Sequence, residues 1–305
     1  MSIEVFNVTK LYGEQKALDN VSFRVEKGEI FGFLGPNGAG KTTMMKIIMG
    51  IIPPNEGQVF INKMDILNDS IQVRKQIGYL PENNPLYYDM YVKEYLKFIA
   101  SVYKIKDKEK RVNEIIEQTG LAVEQHKLIG ALSKGYKQRV GIAQALIHNP
   151  SVLILDEPTS GLDPNQIIEI RNLIAEVGKH KTVLLSTHIM QEVEAICKRI
   201  IIINKGKLVA DNNKESLQES LIDKEKQIIF VEFDNTVSID DLLNIKGVKK
   251  VKSVKKMQYL IEASIEQDIR PLVFQFAVKK NIAVLSMQRK EKSLEELFHE
   301  LTKED

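Results

Sequence analysis

A glycine-rich segment near the N-terminus has the residue types and the spacing to hold a phosphate group. Glycines let successive backbone N–H groups turn inward around a phosphate, and the N-terminus of a following helix adds partial positive charge. We expect the Lys41 ammonium to reach the β- and γ-phosphates of a nucleotide, and the Thr42 hydroxyl to bind Mg²⁺. The segment fits G-x-x-x-x-G-K-[ST] and, with the threonine after it, comprises Gly35, Pro36, Asn37, Gly38, Ala39, Gly40, Lys41, Thr42 and Thr43.

Two adjacent acids, Asp156 and Glu157, follow the apolar run Val152–Leu155. At the carboxyl edge of a parallel sheet, such a strand end faces the ligand crevice. There Asp156 suits Mg²⁺, and Glu157 suits a general base that polarises an attacking water. An ordinary strand–turn junction explains the acids by themselves, but not their combination with a phosphate loop upstream. The combination predicts hydrolysis of ATP with Mg²⁺.

Buried strands that alternate with helices must position these residues. Short β-branched runs with turns at Gly13 and Gly28 give residues 3–33 a β-rich pattern. Farther along, apolar runs indicate buried strands, and apolar residues at helix spacing indicate helices. The alternation predicts an α/β fold with a parallel sheet covered on both faces. The predicted elements are strand Glu29–Leu34, helix Thr42–Met49, a helical pattern over Val92–Gln118, strand Val152–Leu155, a helix from Pro164 and strand Thr182–Ser186.

The composition changes near Asp211, where a polar stretch begins, and the charged segment 223–226 follows. Beyond it the predicted order of strands and helices is βαββαβ, which matches a small split-βαβ sandwich. We therefore divide the chain into two domains, 1–215 and 216–305. The predicted elements of the second are strand Gln227–Phe233, helix Ser238–Asn244, strands Val248–Val254 and Gln258–Ala263, helix Glu266–Lys280, strand Ala283–Gln288 and a last helix Ser293–Thr302.

A segment between the two nucleotide motifs carries a family resemblance. Ser133 and Gly135 lie in Leu132–Arg139, whose pattern Leu-Ser-x-Gly-x-x-Gln-Arg resembles the signature sequence of ABC-transporter ATPases. We expect Ser133 to cap a helix whose N-terminal N–H groups, with Gly135, can hold a phosphate. The resemblance covers about residues 2–215. It implies a P-loop ABC-ATPase domain with a β-rich subdomain, a parallel RecA-like core and a helical subdomain at about 85–150, followed by a small C-terminal α+β ferredoxin-like domain.

Further residues follow the family pattern in chain order. Asp163 resembles the D-loop aspartate, and His188 resembles the switch histidine that senses the γ-phosphate. Tyr12 matches the aromatic residue that stacks on adenine, with a packed edge-strand tyrosine as the alternative. Glu82 departs from the family, which usually places glutamine there. We expect its carboxylate to meet Mg²⁺ or its water at the catalytic centre, or to act in coupling with a membrane partner.

The resemblance also implies partners. In this family two ATPase domains hold two ATP molecules head to tail, so the phosphate loop of one chain faces Ser133 and Gly135 of another. One chain carries one set of motifs, so turnover requires a homodimer or a paired ATPase subunit. An integral membrane permease, formed by a separate polypeptide, is expected to dock near residues 82–103.

The C-terminal domain makes the family resemblance more specific. A split βαββαβ domain that ends in residues 293–298 resembles the tails of bacterial export (ABC-2) type ATPases. Segments 79–87 and 186–194 look closest to the gliding-motility-associated ATP-binding subunits of that group, and drug- and polysaccharide-export relatives share much of the pattern. One alternative is a non-transport ABC ATPase that acts on a nucleic-acid or ribosomal partner. Another is a sensor module for which ATP is only a ligand.

Composition and charge limit the kinds of partner that we expect for this chain. The chain has 305 residues and a formal net charge of +2, which gives no sign of the basic field of a general nucleic-acid binder. The lysines of 249–256 fit a solvated hairpin better than a nucleic-acid or lipid site. No segment approaches the ~18–20 apolar residues of a membrane helix, and the N-terminus lacks a signal-peptide pattern. We expect a cytoplasmic protein, peripheral on the inner face of the cell membrane.

Overall fold

The chain forms two compact units in its computed structural model. The first comprises Met1–Lys214 together with Phe298–Asp305, and the second comprises Glu215–Leu297. Among the described residues, no helix is long and apolar enough to cross a membrane. The residues that the structure describes are 1–214, 216, 226–264, 267–290 and 294–302.

The first unit alternates strands with helices along most of its length. Its strands are rich in β-branched and apolar residues, and its longer helices carry apolar residues on the face that packs. In chain order these elements are β1 (Ile3–Tyr12), β2 (Gln15–Val25), β3 (Ile30–Leu34), α1 (Lys41–Ile48), β4 (Glu56–Ile61), β5 (Met64–Asp65), α2 (Ser70–Gln76), β6 (Ile77–Leu80), α3 (Val92–Val102), α4 (Lys108–Gln118), α5 (Lys134–Leu146), β7 (Val152–Asp156), α6 (Pro164–Gly178), β8 (Thr182–Thr187), α7 (Met190–Ile196), β9 (Arg199–Asn204) and β10 (Lys207–Asn213).

These strands form two sheets. β2, β1, β4 and β5 pair in that order as an antiparallel sheet. The β-rich pattern of residues 3–33 includes β1 and β2, whereas β4 and β5 were not predicted. β10, β9, β3, β8, β7 and β6 form the second sheet, which is parallel except for β10 at its edge. β7 and β8 are buried at every position, because both faces of a parallel sheet are covered. The predicted α/β fold is confirmed.

Helix α1 lies in a core that the two sheets share. Ile3 of the antiparallel sheet and Phe31 of the parallel sheet belong to the same buried cluster as Met44 and Ile47 of α1. All four side chains have no exposed surface. Burial of a side chain of this size stabilises the fold by about 1.5–3 kcal/mol. This packing fixes the start of α1 at Lys41, directly after the glycine-rich loop.

The helical pattern over residues 92–118 forms two helices, α3 and α4. Lys104 adopts a φ of +55°, the left-handed conformation in which helices often end. Asp107 then caps α4, because its carboxylate accepts a hydrogen bond from the Lys110 N–H. Val112 and its apolar neighbours on α4 are buried.

Among the described residues of the second unit, four strands and two helices follow one another in the order βαββαβ. The strands pair antiparallel. A last helix, α10, follows them along the chain; its residues up to Leu297 belong to the second unit and those from Phe298 onward to the first. In chain order these elements are β11 (Lys226–Phe233), α8 (Ile239–Leu243), β12 (Val248–Lys255), β13 (Gln258–Ser264), α9 (Arg270–Lys279), β14 (Val284–Lys290) and α10 (Leu294–Thr302).

The sheet of the second unit has the strand order β12-β13-β11-β14. Ile229, Val231 and Phe233 alternate along β11 into its buried core. Helix α9 begins later than predicted, because the Asp268 carboxylate accepts the Arg270 N–H and ends the preceding turn. The predicted helix starts at positions 266 and 293 lie outside the described residues.

Candidate functional site

The glycine-rich loop joins β3 to α1 and curves around an open cleft. Gly38 and Gly40 have φ values of +80° and +108°, in the left-handed region that side chains disfavour. A Cβ at Gly40 would also lie 2.5 Å from the carbonyl oxygen of Ala17. Glycine is therefore required at Gly40 both by its backbone conformation and by its close neighbour. The following helix start gives the loop the geometry of a phosphate site.

Lys41 places a buried ammonium group at this loop. Its Nζ donates hydrogen bonds to the carbonyl oxygens of Gly35, at 2.6 Å, and Pro36, at 3.2 Å. Burial lowers the pKa of Lys41, and the nearby charges of Glu157 and Asp156 oppose that shift. Nζ lies 4.0 Å from Oε1 of Glu157. A phosphate bound in the loop would therefore meet a cation that is already largely removed from water.

Asp156 and Thr42 supply oxygen atoms to the same cleft. Asp156 is the last residue of β7, and its Oδ2 lies 3.3 Å from the Thr42 hydroxyl, which donates to it. Burial raises the pKa of Asp156, and hydrogen bonds to its carboxylate act in the opposite direction. Glu82 lines the same cleft.

These oxygens fit a magnesium ion bound together with a nucleotide. Mg²⁺ prefers hard oxygen ligands and is usually held by one or two carboxylates, with waters and substrate phosphates completing its shell. Thr42 and Asp156, with Glu82 nearby, meet that description. In the described parts of the chain, no group of three or more histidine, cysteine or acidic residues could hold a metal by itself. The donor set therefore fits a metal that arrives with phosphate.

Glu157 occupies a strained position at the end of β7. Its φ of +49° is in the left-handed region, which costs a non-glycine residue on the order of 1–3 kcal/mol. Its N–H donates to the Ser186 carbonyl at 2.9 Å, and its own carbonyl accepts from the Ser160 N–H at 3.1 Å. Nδ1 of His188 lies 2.9 Å from its Oε1. The backbone and His188 therefore direct this carboxylate into the cleft.

Burial raises the pKa of Glu157, and the hydrogen bond with His188 lowers it. A carboxylate with a raised pKa is a stronger base than an exposed one, which suits proton transfer from water. His188 itself is the first residue after β8, beside Thr187. The adjacent parallel strands β7 and β8 thus bring both side chains to one edge of the sheet.

The cleft formed by these residues measures about 330 Å³. Tyr12 lies at its wall with 52% of its surface exposed, so its ring is accessible for stacking. Gly35 and Ala39 belong to the loop without lining the cleft, whereas Gln15 and Ala17 of β2 line it although the sequence analysis missed them. The lining residues are Tyr12, Gln15, Ala17, Pro36, Asn37, Gly38, Gly40, Lys41, Thr42, Thr43, Glu82, Asp156, Glu157 and His188.

Ser133, Gly135 and Asp163 lie outside that lining. Ser133 caps α5, as its position predicts, because its hydroxyl accepts a hydrogen bond from the Tyr136 N–H. Asp163 caps α6 in the same manner by accepting from the Gln166 N–H at 3.0 Å. One chain therefore holds the phosphate loop and the Ser133 helix start in separate places. Contact of Ser133 and Gly135 with ATP in a second chain stays a prediction.

A third buried carboxylate, which was not predicted from the sequence, lies beside the site. Glu192 of α7 is 1% exposed, and the hydroxyl groups of Thr159 and Thr187 both donate hydrogen bonds to it. Its neighbours Met190 and Val193 are buried apolar residues. A glutamate in such a helix is usually exposed, so nothing in the local sequence pattern marks Glu192 as buried.

A parallel sheet with a phosphate loop and paired acids at its carboxyl edge defines an ATP-hydrolysing P-loop protein. Residues 18–160 match the family model described as ABC transporter. The bacitracin transport ATP-binding protein of Bacillus licheniformis is 38% identical over 240 residues, which cover 75% of this chain and 78% of that protein. The linearmycin resistance ATP-binding protein of Bacillus subtilis is 33% identical over 308 residues, which cover 98% of each chain.

A solved structure agrees with these relatives. A dimeric ATP-binding cassette in a post-hydrolysis state, bound to ADP and Pi, matches with a TM-score of 0.63 at 28% identity and covers 69% of this chain and 98% of that chain. The chain therefore belongs to the ATP-binding subunits of ABC transporters, a family of ATP-hydrolysing proteins. The predicted enzyme class is confirmed.

Proposed function

We propose that this chain hydrolyses MgATP as a dimer and thereby drives export of a small antibiotic-type compound through a separate membrane permease. The observation that carries the proposal is the convergence of Lys41, Asp156, Glu157 and His188 on one cleft. The names of the two relatives, which refer to bacitracin and linearmycin, support an antibiotic-type cargo. The narrower assignment to gliding motility stays a prediction.

Each residue of the cleft has a separate role in the proposed reaction. Lys41 and the N–H groups at the start of α1 bind the phosphates. Thr42 and Asp156, with Glu82, hold Mg²⁺, which supplies charge neutralisation for the phosphoryl group. Glu157 accepts the proton of the attacking water, and His188 orients Glu157.

A second copy completes the site in this proposal. The helix start at Ser133 and Gly135 has the N–H groups to hold a phosphate, but it does not line the cleft of its own chain. A twofold dimer places this helix start of each chain against the phosphate loop of the other. ATP then joins the two chains, and hydrolysis releases them, because the γ-phosphate contacts both.

An aromatic patch offers a surface for the permease. Tyr87, Tyr88, Tyr91 and Phe98, which we name the aromatic patch, are 43–55% exposed although they are large and largely apolar. Tyr87 contacts Phe98, with ring centroids 5.9 Å apart. A cluster of exposed aromatic side chains is typical of a protein interaction site. The patch lies within residues 82–103 and begins five residues after Glu82, so it could transmit movement of the permease to the cleft.

The proposal is tested in cells that carry the chain and its membrane partner. We expect these cells to survive higher concentrations of a peptide antibiotic than cells with Glu157→Gln. Phe98→Asp in the aromatic patch should abolish this protection but leave ATP hydrolysis by the purified chain unchanged. Phe274→Asp is a matched control, because Phe274 is also exposed, at 53% against 43% for Phe98, and lies on α9 of the second unit. Equal survival of all strains would contradict the export proposal.

A further inference from the structure

Glu192 is a buried acid that the proposed reaction does not use directly. It lies on α7 with 1% of its surface exposed. Helix α7 packs closely on β3, because a Cβ at Gly32 would lie 2.4 Å from Cγ1 of Val193. This contact holds the helix, and with it Glu192, at a fixed distance from the sheet that carries the site.

Two hydroxyl groups hold the Glu192 carboxylate. Thr187 donates to Oε2 at 2.8 Å, and Thr159 donates a short hydrogen bond to Oε1. Both threonines are themselves buried. A buried carboxylate with only neutral donors is costly for stability, so its position calls for an explanation other than stabilisation of the fold.

The two threonines belong to the two segments that carry the reacting side chains. Thr159 lies two residues after Glu157, in the turn where the backbone of Glu157 is left-handed. Thr187 ends β8 and directly precedes His188. Glu192 therefore connects the turn that contains Glu157, the proposed base, to the end of β8, directly before His188.

The Thr187 hydroxyl also lies 3.3 Å from Oε2 of Glu157. It accepts a hydrogen bond from the Ile189 N–H at 3.1 Å and has a single proton to donate. The shorter contact, to Glu192, takes that proton. Oε2 of Glu157 is then left available to accept a hydrogen bond from water, while its Oε1 contacts His188.

We propose that Glu192 is a positioning residue for ATP hydrolysis. Through its contacts with Thr159 and Thr187, it holds the turn that contains Glu157 and the end of β8, which precedes His188, in a fixed relative position. This inference rests on the proposed role of Glu157 as the base. A positioning residue lowers the rate of the chemical step when it is removed, but not the binding of ATP.

The first test compares Glu192→Gln with the wild-type chain. The amide keeps the shape of the side chain but replaces one accepting oxygen with a donor, so the Thr187 proton becomes free to turn toward Glu157. We expect kcat to fall about 10- to 100-fold, while the Kd for ATP, measured with a fluorescent ATP analogue, stays within about twofold. Glu194→Gln on the same helix is the matched control and should keep the wild-type kcat.

The second test isolates the hydroxyl contact. Thr159→Val removes the donor with little change of shape, and we expect kcat to fall as it does in Glu192→Gln. Thr159→Ser restores the donor and should recover most of the rate. Because both changes act through the one carboxylate of Glu192, the double variant should lose less activity than the product of the two single effects.

Three results would overturn the inference: a kcat of Glu192→Gln within about twofold of wild type, a parallel loss of kcat and ATP affinity, or multiplied effects in the double variant. Glu157→Gln is measured beside these variants. If Glu157→Gln hydrolyses ATP at the wild-type rate, the proposed base is wrong. If Glu157→Gln is inactive and Glu192→Gln is not impaired, only the role of Glu192 is wrong.

Discussion

Nδ1 of His188 lies 2.9 Å from Oε1 of Glu157, although 31 positions separate the two residues in the chain. The contact forms because β7 and β8 are adjacent parallel strands whose carboxyl ends meet at one edge of the sheet. It gives the buried carboxylate of Glu157 a fixed orientation and one hydrogen-bonding partner. The chemistry of the site depends on this pair.

Replacement of His188 by alanine should therefore impair hydrolysis more than binding. Without the imidazole, Glu157 loses its partner at Oε1, so we expect kcat to fall about 100-fold or more. The Kd for ATP should change much less, because Lys41 and the loop remain. Steady-state kinetics and nucleotide titration check this. The exposed His180, in the turn after α6, provides the control variant His180→Ala. A wild-type kcat in His188→Ala would contradict the assignment.

Glu82 adds a negative charge to a cleft that is proposed to bind a triphosphate. Glu82 is exposed, so water screens its charge and the effect of removing it should be modest. We expect Glu82→Gln to bind metal-free ATP about two- to fivefold more tightly and to gain less affinity when Mg²⁺ is added. Titrations with EDTA and with Mg²⁺ measure both quantities. Glu117→Gln on α4 is the control, and unchanged binding of metal-free ATP by Glu82→Gln would show that Glu82 does not act on the triphosphate.

A mixture of two inactive variants tests whether the site is shared between chains. Lys41→Ala should abolish turnover because the phosphates lose their buried cation, and Ser133→Arg should abolish it by blocking the helix start. In a mixed dimer, one of the two sites has both an intact Lys41 and an intact Ser133. When equal amounts of the two variants pair at random, about half of the dimers are mixed, and each mixed dimer has one working site out of two. The mixture should therefore recover about a quarter of the wild-type rate. A mixture that stays as inactive as its components would contradict completion of the site by a second chain.

His148 makes the stability of the first unit depend on pH. Its ring stacks on Tyr103 with centroids 4.1 Å apart, and its Nε2 lies 3.1 Å from the Ile77 carbonyl oxygen. Burial lowers the pKa of His148 below its ordinary value. The unfolded chain therefore binds a proton at a higher pH than the folded chain does, and stability is lost as the pH falls below about 6.5.

The variant His148→Gln cannot take up this proton. The difference in melting temperature between wild type and His148→Gln should shrink as the pH is lowered from about 7.5 to about 5.5. Thermal unfolding curves across that range provide the measurement. His126→Gln, at an exposed position, is the control. A difference that is constant or grows at low pH would contradict the assignment of a neutral, partly buried His148.

Much of the cleft could be predicted from the sequence, because its chemistry is local. Lys41 and Thr42 follow a glycine pattern that has one common use, and Asp156 and Glu157 end an apolar run. Once the strands are taken as parallel, their carboxyl ends must meet at one edge, so these residues must converge. The order of the motifs along the chain then identified His188, which carries no local signal of its own.

Other features depend on packing that no local pattern reveals. The burial of Glu192 follows from the packing of α7 on β3, and the place of Gln15 and Ala17 in the cleft follows from the way β2 passes the glycine-rich loop. The left-handed backbone of Glu157 is likewise a result of its turn and not of its residue type. The later start of the helix at Arg270 depends on one side-chain hydrogen bond from the turn before it.

The most direct test of the account is the mass and turnover of Glu157→Gln in the presence of MgATP. The chain has a mass of 34.7 kDa, and light scattering distinguishes it from a dimer. The account predicts that ATP converts this variant to a stable dimer and that its hydrolysis rate is about 100-fold or more below wild type. A variant that hydrolyses ATP at the wild-type rate, or that binds ATP and remains a monomer, would contradict it.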